Sequence, residues 1–231
     1  MESLPTEKIT WFQQQIIAWA TENRRDFPWR RTQDAYAVLV AECLLQKTGA
    51  QQAVAVYETI LATYPTIESL AAADLEELTN LLQPLGLAFR APRLQQAAVK
   101  VRDRWDGQIP STETELLELP GVGNYVARSI LANAYCQPVA VLDTNVARIL
   151  ERFFGIQGER VKSRCKKLWH VAEQVAPETE VGHWNLSVMD FGALVCTAKN
   201  PACGSCPLQE QCCAWQKSPE KAIAPPPPAS R

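Results

Sequence analysis

Four cysteines, Cys196, Cys203, Cys206 and Cys212, fall within seventeen residues in the spacing C-x6-C-x2-C-x5-C. Thiolates at this density can surround one tetrahedral ion or one iron–sulfur cubane. Zinc and iron–sulfur both suit four sulfur donors, so the donor set leaves the choice open, and a brown protein would mark iron. Cys213 could compete as a ligand, although the spacing favours Cys212. Cys43, Cys136 and Cys165 lie on or beside predicted helices and read as packing residues. Five of the eight cysteines crowd near the C-terminus and the N-terminus does not read as a signal peptide. That distribution favours a metal site over a disulfide framework.

A second chemical feature is Leu119-Pro120-Gly121-Val122-Gly123. The run sits between a short helix opened by Thr112-Glu113-Thr114-Glu115, which has the form of a capping box, and a helix starting near Asn124. Two glycines permit a tight turn, and the amides of Gly121, Val122 and Gly123 are left without intrahelical partners. With the positive end of the next helix they form an anion site of phosphate size. Such a contact fixes a protein on a nucleic-acid backbone without reading sequence. Read alone, the run is equally an ordinary helix corner.

Two carboxylates complete the set. Asp143 precedes Thr144-Asn145-Val146 and reads first as a helix N-cap. Glu42 sits in Ala37–Leu45, which is apolar on every helical face, so its carboxyl should be desolvated and its pKa raised. That suits a general acid, while a structural pairing with an arginine or a backbone group is the plainer reading.

The elements that must position these residues are helical throughout. Ile9, Phe12, Ile16 and Trp19 mark a first amphipathic helix, and Asp34 caps a second running to about Lys47. Further patterns cover roughly 50–63, 74–83, 90–104, 112–118, 124–135, 144–154, 162–176 and 183–195. No alternating strand pattern appears, so the fold class is all-α. Residues 218–231, with Pro225 to Pro228, read as part of a disordered proline-rich tail from about residue 216. The 231 residues carry 47% hydrophobic and 21% charged side chains with net charge −2, as in an ordinary soluble domain. No run is long enough to span a membrane, and a cytoplasmic, nucleoid-associated monomer is expected. A net negative chain must contact nucleic acid through local patches. The candidates are Arg24/Arg25/Arg30/Arg31, Arg90/Arg93 and Arg160/Lys162/Arg164/Lys166/Lys167. His170 and His183 lack metal-ligand spacing and read as structural.

Taken in order, the hairpin, the aspartate twenty residues after it and the cysteine loop resemble the HhH-GPD superfamily of base-excision DNA glycosylases. The superfamily includes endonuclease III and the adenine and thymine mismatch enzymes, and the resemblance runs from about Trp11 to Cys212. It implies a helix-hairpin-helix fold with a six-helix barrel at 32–135 and a cluster domain from 1–31 and 136–215. It also implies a [4Fe-4S] cluster on the four cysteines, and Asp143 as catalytic carboxylate at the cleft between the two parts. Double-stranded DNA with a mismatched or damaged base is the implied partner. The cluster would order a DNA-contacting loop and take no part in hydrolysis.

At the position of Tyr125 the bifunctional endonuclease III branch carries a Schiff-base lysine. Tyrosine has no amine, which implies a monofunctional enzyme with little or no strand cleavage. The mismatch branches carry a glutamate matching Glu42, and Phe27-Pro28-Trp29-Arg30 also matches them. Gln46 and Lys47 fall where those enzymes fill the space left by a flipped base, and Leu87-Ala88-Phe89 is a candidate wedge. Gln46-Lys47 in place of two glutamines, Gly86–Arg90, Arg152–Gly155 and Trp184–Phe191 resemble the thymine branch more than the adenine branch. The short stretch after the cluster points the same way. Thymine or uracil opposite guanine is therefore the expected substrate. The alternatives are adenine opposite guanine or 8-oxoguanine, and a non-catalytic, redox-sensitive iron–sulfur protein that binds DNA.

Overall fold

The computed structural model describes residues 3–217, and these are helical with no strand. The all-α expectation is met. The proline-rich stretch from Ser218 onward lies outside the described residues. No helix among them is long and apolar enough to cross a membrane. The described chain divides into two compact units, residues 3–25 with 138–217, and Asp26–Gln137.

The Asp26–Gln137 unit holds α2 (Ala35–Leu45), α3 (Ala50–Thr63), α4 (Ile67–Ala71), α5 (Leu75–Leu82), α6 (Ala91–Trp105), α7 (Glu113–Leu116) and α8 (Asn124–Asn133). Asp34 caps α2 by accepting the Tyr36 amide at 2.9 Å. An all-apolar helix belongs in an interior, and α2 is buried over Tyr36–Glu42 and again at Leu44, with α3 and α8 against it. It ends at Leu45, two residues before the expected stop, because Gln46 turns extended with ψ 111° and Lys47 then takes a left-handed backbone with φ 61°. Phe27-Pro28-Trp29 is core: Phe27 stacks on Trp29 at 5.0 Å and Trp29 meets Tyr57 edge-on at 5.3 Å. The five-residue α4 escaped the periodicity reading, being too short to show a period. Reciprocal Thr66–Ser69 capping holds its start, and it packs on α6.

The other unit holds α1 (Thr6–Asn23), α9 (Thr144–Phe154), α10 (Lys166–Val175), α11 (Val181–Leu194) and α12 (Cys213–Lys217). The last extends two residues into the stretch assigned to the tail. The helical pattern expected from 162 is a 3₁₀ turn at Lys162–Arg164 followed by α10. Phe12, Ile16, Ile149, Leu150, Phe153, Leu168 and Phe191 form its core. Phe153 is the pivot, stacked on Trp11 at 6.0 Å and tilted on Phe12 at 4.8 Å. Removing a buried aromatic ring leaves a cavity that costs about 3–5 kcal/mol. Phe153→Ala is accordingly expected to lower the denaturant midpoint by that much, with an unchanged m-value.

Candidate active site and metal centre

In the Asp26–Gln137 unit Glu42 is only 8% exposed. Its Oε1 accepts the Ser129 hydroxyl at 2.5 Å and the Tyr125 hydroxyl at 3.5 Å, both from α8. Asn133 donates in turn to the Ser129 oxygen at 3.0 Å. A carboxyl group on the apolar helix α2 thus finds its partners on the facing helix, as a buried polar group requires. Tyr125 and Glu42 are brought together; Ser129 and Asn133 were missed. A serine inside a helix carries no chemical signal until its neighbour across the packing interface is known.

Around the hairpin, Gly121 has φ 86° and Val122 N–H bonds to the Leu119 carbonyl at 3.1 Å. This corrects the expectation that all three amides are unengaged, because the turn itself takes the middle one and buries the Val122 side chain. Among the described residues the Gly121 and Gly123 amides find no acceptor, and both glycines are exposed. Only Gly121 needs glycine on backbone grounds; Gly123, with φ −112°, has an ordinary extended backbone. The capping box at Thr112 is half-formed. Thr112 accepts the Glu115 amide, while the Glu115 carboxylate takes the Thr112 hydroxyl and the Trp105 indole N–H.

Gln46 reaches the hairpin, its Nε2 lying 3.4 Å from the Gly121 carbonyl. Arg90 donates to the carbonyls of Cys43 at 3.1 Å and Gln46 at 2.7 Å, closing the end of α2 that sequence reading had extended. Lys47 is exposed. Of the wedge candidates Leu87 is buried, whereas Phe89 is 67% exposed with the Arg90 guanidinium 5.3 Å over its ring.

In the other unit Asp143 is the N-cap of α9. Its Oδ1 accepts the Val146 amide at 2.7 Å and its Oδ2 accepts the Asn145 side chain at 2.8 Å. Burial holds its carboxyl above the usual aspartate range; those two bonds, the Asn145 amide and the Arg148 charge pull the other way and do not win. Arg148 extends the chain of contacts, donating to Asn145 Oδ1 at 2.8 Å, the Cys196 carbonyl at 2.7 Å and the Gly192 carbonyl at 2.7 Å.

The four cysteines line one cavity of about 270 Å³, together with Phe153, Phe191 and Leu208. Among the described residues no three His, Cys, Asp or Glu side chains converge tightly enough for a single ion. A cavity this large, against the roughly 10–15 Å³ that admits one water, accommodates a multi-atom cluster. Burial pushes the Cys206 thiol up to about 12 and raises Cys203. Bound metal reverses that preference by drawing off the protons, and four sulfur donors around one cavity of this size fit an iron–sulfur group. Arg152 donates to Cys196 Sγ at 3.4 Å and to the Thr197 carbonyl at 2.7 Å. Cys213 is not among the residues lining the cavity, and the Lys8 ammonium lies 3.4 Å from its sulfur.

The basic groups divide. Arg25 pairs with the fully buried Asp190 at 2.7 Å, Arg31 pairs with Asp26, and Lys162 with Glu151 at 2.5 Å. These three, read from sequence as phosphate contacts, are each held by a carboxylate, although the Arg31–Asp26 pair lies on the surface. Arg160, Arg164, Lys166 and Lys167 remain exposed.

Residues 40–174 match the HhH-GPD superfamily base excision DNA repair protein family, and residues 196–212 match the iron-sulfur binding domain of endonuclease III. The thymine/uracil-DNA glycosylase of Pyrobaculum aerophilum is 39% identical over 217 residues, covering 92% of this chain and 94% of that one. The adenine DNA glycosylase of Rattus norvegicus is 36% identical over 219 residues, covering 90% of this chain and 42% of that one. A solved thermostable thymine-DNA glycosylase superposes with a TM-score of 0.87 at 31% identity, covering 91% of this chain and 98% of that one. An endonuclease III trapped on DNA shares the fold, with a TM-score of 0.82 at 23% identity, covering 94% of this chain and all of that one. The hairpin, the capped aspartate and the cysteine cavity are thus found in a chain whose family match spans more than half its length. The chain belongs to the HhH-GPD superfamily of base excision DNA repair proteins and carries the iron–sulfur binding domain of endonuclease III.

Proposed function

We propose that the chain is a monofunctional DNA glycosylase that removes thymine or uracil mispaired with guanine. The observation that carries the reading is the partly buried Asp143 carboxylate, held by the Val146 amide and the Asn145 side chain. Breaking an N-glycosidic bond sends the bonding electrons to the base and leaves cation-like charge on the deoxyribose. A fixed carboxylate stabilises that charge, then orients water for attack on the sugar carbon and accepts its proton. Glu42 is assigned to the departing base as its proton donor, oriented by Ser129 and Tyr125. The target nucleotide leaves the stack to be reached, with Gln46, Lys47 and exposed Phe89 filling or wedging the gap. The amides of Gly121 and Gly123 hold a phosphate.

The cysteines are assigned a [4Fe-4S] cluster. When bound, the cluster cross-links residues 196–212 and supplies no step of the hydrolysis. Four cysteine donors around one cavity support this assignment, as does the match to the endonuclease III domain.

The thymine/uracil preference rests on Gln46-Lys47, on Gly86–Arg90 and on relatives of that name, including the thymine-DNA glycosylase of Aeropyrum pernix at 37% identity over 94% of its length. The 36% identity to adenine DNA glycosylase supports the second reading, adenine removal. Direct measurement of free base released from duplexes with T·G, U·G, A·G and A·8-oxoguanine pairs separates them. Release from the first two pairs is expected; release from the adenine pairs alone would establish the second reading.

The absence of strand cleavage rests on Tyr125. Tyr125→Lys is expected to add weak nicking at abasic sites, trappable by borohydride as a covalent adduct. Glu42, 3.5 Å from the tyrosine hydroxyl, would pair with the new ammonium and hold most of it protonated, so the gain is small. A variant with no trappable adduct would show that this position does not reach the sugar.

A further inference from the structure

Asp143 must be held in place by what precedes and follows it, and α11 touches both flanks. Before it, the carboxamide of Asn185 meets the incoming segment twice: Nδ2 donates to the Val139 carbonyl at 3.0 Å and Oδ1 accepts the Val141 amide at 3.2 Å. These are the bonds an adjacent strand would make, supplied by one side chain that is 3% exposed. Val141 and Leu142 are buried and Val139 is half-buried, so without Asn185 a buried N–H and a half-buried carbonyl would lose their partners, and the approach to Asp143 would lose its register.

After Asp143 the contact is made by an absent side chain. A Cβ on Gly192 would stand 2.7 Å from the Asn145 Cβ and 3.3 Å from its carbonyl carbon. Only glycine lets α11 come this close to the first turn of α9. Asn145 is the residue whose side chain holds Asp143 Oδ2, and the Gly192 carbonyl accepts from the same Arg148 nitrogen that donates to Asn145 Oδ1.

We infer that α11 is the positioning element of the catalytic carboxylate, with Asn185 and Gly192 as its two positioning residues. The inference rests on Asp143 being that carboxylate. Neither residue touches the reacting atoms. Each restricts one side of a residue whose misplacement by an ångström costs about a hundred-fold in rate.

The test is single-turnover base release from a G·U or G·T duplex at saturating enzyme, with duplex affinity measured alongside. It uses the full cluster-loaded chain and the variants Asn185→Ala, Asn185→Asp, Gly192→Ala and Asp143→Asn. A residue that only supports folding would change stability or affinity and leave the saturated rate of the folded protein alone. Here the rate is expected to fall about ten- to a hundred-fold in Asn185→Ala and Gly192→Ala, with affinity within about two-fold of the unmodified chain. Asn185→Asp keeps the acceptor for Val141 and loses the donor to Val139, so its rate should fall between. If Asn185→Ala does not fold, Asn185→Asp and Gly192→Ala decide. Unmodified rates in the folded α11 variants beside an inactive Asp143→Asn would overturn the inference alone. An active Asp143→Asn would overturn it together with the reading of Asp143.

Discussion

Asp143→Asn is expected to stop base release, by about 10²–10³-fold or more in single-turnover rate, while leaving the protein at least as stable. Asparagine caps a helix as well as aspartate, so the Val146 amide keeps its acceptor. The sign of the stability change follows from the carboxyl's raised pKa. A carboxyl raised by folding binds its proton more tightly in the native than in the unfolded state. Its contribution to stability is therefore full at low pH and is lost as pH rises through the native value. At neutral pH the ionised side chain is a cost, and asparagine removes it. Thermal unfolding should place the variant level with or above the unmodified protein near pH 7, with the advantage shrinking in acid. The same shift predicts that the rate falls with acid at a pH above the ordinary aspartate range, because in the proposed mechanism only ionised Asp143 stabilises the sugar cation.

The second large effect is on the cysteine cavity. Cys206→Ser is expected to lose bound iron and sulfide, the visible colour, and several kcal/mol of stability, given the order of magnitude of structural metal sites. A typical domain has about 5–15 kcal/mol in total, so the variant should unfold well below the unmodified chain. Arg148 and Arg152 tie the start of the cysteine loop to α9, and the proposed cluster would hold the rest of residues 196–212 to that anchor. Without the cluster that hold is lost, and DNA affinity should fall with it. A variant without cluster but with full DNA affinity would contradict the ordering role. Cys213→Ser is the control, since that sulfur faces Lys8 and not the cavity. It should keep colour and stability.

Much of this arrangement could be read from residue types and spacing. Cys196 to Cys212 announce themselves because four thiols in one loop have little other use, and the cavity collects all four. Asp143 reads as an N-cap from its neighbours alone and is one; its chemistry needed the family resemblance. Glu42 stood out as a lone charge on an apolar helix, but its partners did not, because Ser129 and Tyr125 meet it across 80 and more residues of chain. The same limit hid Arg148 and Asn185, whose partners lie more than forty residues away, whereas Asn145 meets Asp143 two residues off and carried no signal beyond that of an ordinary polar residue. Charge runs misled in part. Arg25, Arg31 and Lys162 carry the same sequence signal as the exposed cations, and only the fold shows that carboxylates hold them. Helix ends failed where a distant group closes them, as Arg90 does for α2.

Base removal by hydrolysis without strand cleavage is tested by a single-turnover time course on an end-labelled G·T duplex, with each time point divided and quenched either with or without hot alkali. Full-length strand is expected in the untreated half and a nick growing with time in the alkali half, and Asp143→Asn should leave full-length strand in both. Prompt, stoichiometric nicking in the untreated half, or no alkali-labile site from any mispair, would contradict it.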